Sequence, residues 1–445
     1  FLINCQRAIL EHAVRWIIPV VPEDSVFENC ALAIDQKSIV GIYPQAEAAT
    51  RFAPASVVDL ADHILMPGLV NAHGHAAMSL LRGFADDLPL EPWLEEHIWP
   101  AESRFLSEKF VRDGTALAIA EMIKTGTTCF ADMYFFAEDA AEQIRISGIR
   151  SQIGFTVFDF PTAGGKDADD YIHKGLQLRD LYKDNDLIKI ACAPHAPYTV
   201  GDATLRRIAT FANELDMAVH IHCHETAKEV NDSLHLYSCR PLQRLDDLGI
   251  LLPQTQLVHM TQMDDQDIKL VKDNNCHVVH CPESNMKLAS GFCPVAKLLD
   301  AGINVAIGTD GAASNNDLDL FGELKTAALL AKVVSGNAAA LNAHQAIRMA
   351  TISGAKALGW QDQIGSLEAG KSADIIAVEI SSLSQKPLYN PASQLVYTNS
   401  GSQVTHSWVA GRALMSDRQL LTLNEEKLMR MADEWRDQIS PDPQP

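Results

Sequence analysis

From residue 64 onward, short apolar segments of strand length alternate with longer segments whose apolar residues recur with helical spacing. This alternation predicts an α/β fold with a parallel sheet, because each parallel strand needs a crossover connection to the next. Eight strands are expected, ending near His75, Met133, Asp159, His195, His224, Thr261, Cys281 and Asp310. Eight such units favour a (β/α)8 TIM barrel over residues 63–368, with a doubly wound open sheet as the alternative.

The helical spacing predicts crossover helices at 109–124, 137–147, 169–182, 202–215, 264–273 and 294–301. Two further helices are expected after the last barrel strand, at 317–333 and 343–358. A final amphipathic helix at 424–439 precedes a proline-rich tail that we expect to be disordered.

The pattern of hydrophobic and polar residues at the two ends of the chain differs from that in the middle. Short alternating segments, such as 31–42 near the start and 373–380 near the end, predict strands that are buried on one face. We therefore expect residues 1–62 and 369–445 to build one small β-sandwich domain beside the barrel, with the terminal helix attached to the second segment.

Composition narrows the class of protein. The chain has 445 residues, of which 47% are hydrophobic, and a net charge of −21, which argues against nucleic acid or an anionic membrane as partner. Nine cysteines without a Cys-x-x-Cys pair indicate reduced thiols in a cytoplasmic protein. Asn4, Gln6 and Arg7 interrupt the apolar start, so we expect no signal peptide, and no segment has the length of a membrane span.

The first candidate for chemistry is the apolar segment 64–75, which ends with His73 and His75. Residues two apart on a strand face the same side, so both imidazoles point the same way. Two such histidines provide half of a tetrahedral metal site, although packed polar side chains are the more common explanation of the pattern alone.

The fifth predicted strand carries His220, His222 and His224 on one face, followed directly by Glu225. Three histidines in five residues at the end of an apolar strand are difficult to explain by packing. The pattern does not decide which of the three is functional.

Asp310 follows the eighth strand between glycines, where an unpaired buried carboxylate would be costly. It could also begin the next helix as an N-cap. His195 and His259 end the fourth and sixth strands, and either histidine alone could be structural.

Taken together, these residues fall at the carboxyl ends of the predicted strands, where barrel enzymes place their reactive groups. Nitrogen and oxygen donors without thiolates suit Zn²⁺, with Fe²⁺ or Mn²⁺ as alternatives. Because a bound metal ion can lower the pKa of water to about 7, the sequence predicts a metal-dependent hydrolase.

Several motifs resemble those of the amidohydrolase superfamily, and within it the 5-methylthioadenosine/S-adenosylhomocysteine deaminases. The resemblance covers nearly the whole chain and is carried by residues 67–75, 78–94, 99–102, 193–198, 220–226 and 308–316. It implies hydrolytic deamination of the adenine ring of S-adenosylhomocysteine, 5′-methylthioadenosine and also adenosine, which yields the inosine analogue and ammonia. The implied substrate is therefore a small nucleoside, and the implied assembly is a homo-oligomer.

The resemblance also implies a role for each site residue. The implied metal ligands are His73, His75, His222 and Asp310. Glu225 would shuttle the proton, Asp310 would also act as a base, and His259 would contact the reacting water or the purine. The implied substrate contacts are Glu102 with the ribose hydroxyls, His195 close to the ribose, and Trp93 lining the pocket.

Two further points follow from the resemblance. Relatives with two metals use a carboxylated lysine at the end of strand four; here that strand ends at His195, which favours one divalent ion per chain. The family's arginine contacts with an amino-acid tail have no clear counterpart in these motifs; Arg150 is a candidate for such a contact but is not part of the predicted site. Two alternatives stay open: another deaminase or chlorohydrolase of the same branch, acting on guanine, a pterin or a triazine, and a non-catalytic barrel.

Overall fold

A computed structural model describes residues 14–398 and 400–440 of the chain. The predicted disordered tail at 441–445 and the polar residues near the start of the chain lie outside the described residues. Within those ranges the strands are β1 Val14–Ile17, β2 Phe27–Asp35, β3 Ser38–Pro44, β4 His63–Pro67, β5 Leu69–Asn71, β6 Thr127–Tyr134, β7 Arg150–Val157, β8 Ile188–Pro194, β9 Val219–Cys223, β10 Thr255–His259, β11 His277–His280, β12 Val305–Ile307, β13 Ile375–Glu379, β14 Val404–Val409, β15 Arg412–Ser416 and β16 Gln419–Leu420.

Strands β5 to β12 form one sheet in chain order, and each neighbouring pair is parallel. The backbone N–H of Ala72 donates to the carbonyl of Ile307 at 2.9 Å, which joins the first strand of this sheet to the last. The predicted (β/α)8 barrel is confirmed, and each strand ends within four residues of its predicted end. The open-sheet alternative is excluded by this closure.

The remaining eight strands form a second sheet from both ends of the chain, in the order β16-β15-β14-β13-β4-β1-β2-β3. This confirms the expected joining of the two chain ends. Strand β4 is parallel to β1 and antiparallel to β13, so residues 63–67 belong to this end sheet and lead directly into the barrel. The exact domain boundaries stay a prediction.

The passage from one sheet to the other depends on Gly68. A Cβ atom at this position would lie 2.0 Å from Oγ1 of Thr128, so only glycine fits against the second barrel strand. The backbone N–H of Gly68 donates to the carbonyl of Asp374 at 3.0 Å. This contact holds the end sheet against the barrel.

The helices connect the strands largely as the periodicity predicts. In the described ranges they are α1 Gln45–Arg51, α2 Leu90–Pro92, α3 Trp99–Phe105, α4 Glu108–Lys124, α5 Ala137–Ser147, α6 Ala168–Tyr182, α7 Asp202–Leu215, α8 Ala227–Tyr237, α9 Pro241–Asp247, α10 Asp265–Asp273, α11 Pro282–Lys287, α12 Val295–Asp300, α13 Ala312–Asn315, α14 Leu320–Ser335, α15 Ala343–Met349, α16 Ile352–Ala357, α17 Pro391–Tyr397 and α18 Glu425–Ile439. A π-helical turn, Trp93–Ile98, joins α2 to α3.

The helix predicted at 343–358 is interrupted, and this part of the prediction is wrong. The carbonyl of Ala350 accepts a hydrogen bond at 2.7 Å from Val70 of the first barrel strand instead of continuing the helix. Thr351 then leaves helical geometry, with φ −130° and ψ −98°. A contact between residues far apart in the sequence therefore overrides the local helical pattern.

The barrel strands are buried along almost their entire length, as expected for a sheet covered by helices on the outside and filled by side chains within. No helix in the described ranges is both long and apolar enough to cross a bilayer. The eight cysteines in those ranges are all free thiols. The fold therefore relies on core packing, and it presents one rim of strand ends on which loops can place polar groups.

Candidate active site

The sequence-predicted ligand residues come together at the carboxyl rim of the barrel. His73 and His75 follow β5, His222 lies in β9, and Asp310 follows β12. Nε2 of His73 lies 3.2 Å from Nε2 of His222 and 3.4 Å from Oδ1 of Asp310. Nε2 of His75 lies 3.2 Å from the same carboxylate oxygen. Four donor atoms from three separate strands thus converge on one point.

The second nitrogen of each imidazole fixes which way the ring is protonated. Nδ1–H of His75 donates to the carbonyl of Met133 at 2.6 Å, and Nδ1–H of His222 donates to that of His195 at 2.8 Å. Because Nδ1 carries the proton in each of these rings, Nε2 is unprotonated and its lone pair faces the centre of the cluster.

This donor set fits a divalent metal ion. Two uncharged nitrogen lone pairs 3.2 Å apart repel each other unless a cation lies between them, and three imidazoles with a carboxylate are typical zinc ligands. The donor atoms of His73, His75 and Asp310 all lie within 4.8 Å of one another, as do those of His73, His222 and His259. The geometry thus supports a metal site and leaves His259 close to it.

The electrostatics of the cluster also suit a cation. Burial lowers the pKa of His73 and His222, so both rings are neutral and able to bind a metal at neutral pH. Burial alone would raise the pKa of Asp310, but the contacts of its carboxylate with the imidazoles of His73 and His75 outweigh burial and hold the pKa well below its usual value. Asp310 is therefore a carboxylate.

Asp310 is held in a strained but well supported conformation. Its φ is +63°, which a non-glycine residue rarely adopts. Its own side chain accepts a hydrogen bond from the N–H of Gly311 at 2.9 Å, and Ser284 donates to its other oxygen at 2.7 Å. Such strain is characteristic of functional sites whose surroundings fix one geometry.

Glu225 and His259 form a second pair beside the ligands. Nε2 of His259 lies 3.6 Å from Oε2 of Glu225, and Nδ1 of His259 is 3.0 Å from the amide nitrogen of Asn285. Burial, followed by the charge of Asp310, raises the pKa of Glu225 well above its ordinary value. A carboxyl group that holds its proton near neutral pH is suited to donate it to a substrate.

The predicted substrate-binding residues line the same cavity as His75, His222 and Asp310 of the donor cluster. Glu102 accepts a hydrogen bond at 2.5 Å from the Tyr134 hydroxyl, and burial raises its pKa to about 7. Nδ1 of His195 is 3.0 Å from the hydroxyl of Thr199. Trp93 is buried in the π-helical turn and donates from Nε1 to the carbonyl of Ala85 at 3.1 Å.

The structure distinguishes the three histidines that lie in β9 or directly after it. His222 reaches the cluster, whereas His220 lies behind it, with Nε2 2.7 Å from Nδ1 of His73. His224 has φ +54°, and its Nε2 accepts the backbone N–H of Leu242 at 3.1 Å, away from the cluster. The alternation along the strand places His220 and His222 on the same face. They differ in how deep they lie in the barrel: His222 contacts the cluster, and His220 contacts the far side of the His73 ring.

Other contributors were missed by the sequence reasoning. Tyr134 and Ser284 act through Glu102 and Asp310, and neither stands in a pattern that distinguishes it from a core residue. The suggestion that Arg150 contacts the amino-acid tail of a substrate is wrong. Its guanidinium is buried at the start of β7, at the other end of the barrel, in an ion pair with Asp374 at 2.8 Å.

Comparison with known proteins agrees with this geometry. The sequence model of the amidohydrolase family matches residues 64–414, and the chain belongs to that family. The 5-methylthioadenosine/S-adenosylhomocysteine deaminase of Teredinibacter turnerae is 54% identical over 424 residues, covering 95% of this chain and 96% of that protein. The protein of the same name from Saccharophagus degradans is 54% identical over 436 residues, covering 98% of each. The resemblance found in the motifs is thereby confirmed.

A solved structure extends the similarity to three dimensions. The crystal structure of an adenosine deaminase from Xanthomonas campestris with bound zinc superposes with a TM-score of 0.97 at 48% identity. The match covers 99% of this chain and 100% of that one. The fold is therefore that of an amidohydrolase.

Proposed function

We propose that this protein hydrolytically deaminates the adenine ring of nucleosides, namely 5′-methylthioadenosine, S-adenosylhomocysteine and adenosine, giving the inosine analogue and ammonia. The observation that carries the proposal is Glu225, a buried carboxyl group with a raised pKa that shares one cavity with the donor cluster and Glu102. The names of the relatives and the zinc-containing deaminase structure support the same reaction.

The donor cluster of His73, His75, His222 and Asp310 would hold one Zn²⁺ ion. When bound, that ion would supply Lewis acidity that makes a water molecule a better nucleophile at neutral pH. Fe²⁺ and Mn²⁺ remain alternatives, and a single ion per chain remains a prediction.

The side chains divide the proton transfers between them. Asp310 is ionised and takes a proton from the attacking water, while protonated Glu225 donates to ring nitrogen N1. Protonation of N1 neutralises the charge that develops as the oxygen adds to C6. Asp310 then passes the proton that it took from the water to the departing amino group, and Glu225 regains a proton from the C6 hydroxyl as the carbonyl forms, so that ammonia leaves and the hypoxanthine ring remains. His259, 3.6 Å from Glu225, contacts the reacting groups.

The ribose is assigned to the part of the cavity formed by Glu102, His195 and Trp93. Glu102 as a carboxylate can accept hydrogen bonds from two neighbouring hydroxyls, and the bond from Tyr134 fixes one of its oxygens. A site that recognises ribose in this way favours a nucleoside over a free base. This argues against the alternative substrates guanine, a pterin or a triazine.

The test is an absorbance assay of adenine nucleosides for conversion to inosine products, with the metal content of the same sample measured by elemental analysis. We expect turnover and one zinc ion per chain. No ammonia release from any nucleoside would refute the activity and favour the non-catalytic barrel, and two ions per chain would refute the mononuclear site.

The nucleoside and free-base hypotheses are separated by Glu102→Gln. The variant should lose far more activity on nucleosides than on any free base that the enzyme accepts. Equal losses on both kinds of substrate would count against the assignment of Glu102 to the ribose. A cytoplasmic location and a homo-oligomeric assembly also remain part of the proposal.

A further inference from the structure

The cavity that contains Glu102 also has a region lined by aromatic and aliphatic side chains. The rings of Phe158 and His195 stack with centroids 4.9 Å apart, and Phe135 stacks on Phe158 at 5.7 Å. Tyr198 lies at the opening and is 49% exposed. If the purine occupies the donor cluster and the ribose meets Glu102, the substituent on the 5′ carbon must enter this region.

Among the described lining residues, the walls of the cavity carry acidic side chains and no strongly basic ones. Among the described residues that line it, the formally charged side chains are the carboxyl groups Glu102, Glu225 and Asp310, and no lysine or arginine is present. An anionic group brought into such a partly dehydrated site loses its water and gains no cation in return, which is costly.

Two cationic side chains close to the surrounding loops, Arg244 and Lys174, are already engaged in ion pairs. Arg244 contacts the loop that carries Tyr198 by donating to the carbonyl of Pro197 at 2.5 Å, but it also pairs with Asp202 at 2.7 Å. Its side chain is only 5% exposed. Lys174, which lines a separate small cavity beside Phe135, pairs with Asp170 at 3.0 Å.

We propose that the site selects adenine nucleosides whose 5′ substituent is uncharged, such as methylthio, hydroxyl or hydrogen, over S-adenosylhomocysteine with its carboxylate tail. This inference rests on the proposed deaminase function and narrows its substrate class. The apolar walls favour a thioether or alkyl group by removing it from water. The carboxylate of the homocysteine tail, in contrast, has no cationic partner among the described lining residues.

The experiment compares kcat/KM of the wild-type enzyme for four nucleosides under the same conditions. These are 5′-methylthioadenosine, 5′-butylthioadenosine, S-adenosylhomocysteine and the methyl ester of S-adenosylhomocysteine. The butylthio compound has the carbon length of the homocysteine tail without its charges, and the ester removes the carboxylate charge alone.

We expect the methylthio compound to exceed S-adenosylhomocysteine by at least about ten-fold, the cost of leaving one charged group unpaired. The butylthio compound should stay within a few-fold of the methylthio compound, and the ester should recover most of the loss. Equal values for S-adenosylhomocysteine and the butylthio compound would overturn the proposal, whether both are fast or both are slow. Failure to deaminate all four compounds would instead refute the proposed function itself.

Discussion

Two buried polar clusters lie at opposite ends of the barrel and differ in what satisfies them. At the amino end, Arg150 and Asp374 form an ion pair in which both side chains are 2% exposed. At the carboxyl end, Asp310 lies among the imidazoles of His73 and His75 with its side chain 8% exposed. Burial alone therefore does not distinguish the two clusters.

The difference lies in the hydrogen bonds. Asp374 accepts two bonds from Arg150, one from the hydroxyl of Ser372 at 2.7 Å and one from the N–H of Ala410 at 2.9 Å. The guanidinium of Arg150 also lies over the ring of Trp360, 4.7 Å from its centroid. Every strong acceptor there has a fixed donor, so the cluster fastens the end sheet to the barrel and has no capacity for a ligand.

At the carboxyl end the protein directs lone pairs towards one another. His73 and His222 face each other through Nε2, although their other nitrogens are fully used. Such an arrangement costs free energy in the folded protein unless a ligand compensates it. A saturated buried cluster thus indicates a structural role, and a cluster whose lone pairs converge on one point indicates a binding site. The following substitutions test that distinction, from the largest expected effect to the smallest.

Glu225→Gln should have the largest effect on activity. The amide has nearly the same shape but cannot transfer a proton, so kcat/KM on 5′-methylthioadenosine should fall by about 10³- to 10⁴-fold. Thermal unfolding should be unchanged or slightly higher, because a buried acid with a raised pKa has been removed. Retention of a tenth of the activity would contradict the assigned role.

Arg150→Met should have the opposite effect to Glu225→Gln, with a large loss of stability and little change in activity. Removing one partner leaves the carboxylate of Asp374 buried and unpaired, which should cost about 3–5 kcal/mol of unfolding free energy in urea titrations. The activity of the folded fraction should stay within two-fold of wild type.

A matched control for that variant is Arg207→Met, which removes an exposed pair with Asp169 at 2.6 Å. This change should cost less than about 1 kcal/mol. Equal destabilisation by the two substitutions would show that the buried pair has no special structural role.

His220→Phe should weaken metal binding. The ring of His220 donates to Gln256 from Nδ1 at 2.5 Å, and its Nε2 accepts the Nδ1–H of His73. Without that acceptor His73 loses its orientation, and the metal Kd should rise by about 10- to 100-fold in a chelator competition assay. His220→Gln, which restores an acceptor oxygen, should recover part of the affinity; no difference between the two variants would refute this role.

Tyr134→Phe should have the smallest effect, confined to the substrate and its pH dependence. Loss of one hydrogen bond to Glu102 should raise KM for nucleosides by about 5- to 10-fold, the equivalent of about 1–1.5 kcal/mol. Burial raises the pKa of Glu102 to about 7, and the Tyr134 hydroxyl opposes that rise.

The direction of the pH effect follows from burial, which raises the pKa of Glu102, and from the Tyr134 hydrogen bond, which lowers it. Protonated Glu102 has lost acceptor capacity, so kcat/KM of the wild type should fall as pH drops through about 7. In Tyr134→Phe the same fall should begin at higher pH, and in Glu102→Gln it should disappear. An unchanged profile in both variants would assign the acid limb to another group.

The amino-acid sequence by itself determined the barrel, the joining of the chain ends and the gathering of the ligand residues. Period-two alternation fixes which side chains share a strand face, and parallel strands bring their carboxyl ends to one rim. His73, His75 and Asp310 therefore could be placed together without knowing a single contact. The role of each site residue stays a prediction.

Only the tertiary structure decided what depends on contacts between distant parts of the chain. His220 and His222 look alike in the sequence and are separated by depth in the barrel, where one reaches the donor cluster and the other supports His73. The break at Ala350 is set by Val70, a residue 280 positions earlier in the chain. Local propensities cannot encode such pairings, because their free energy arises only when the barrel closes.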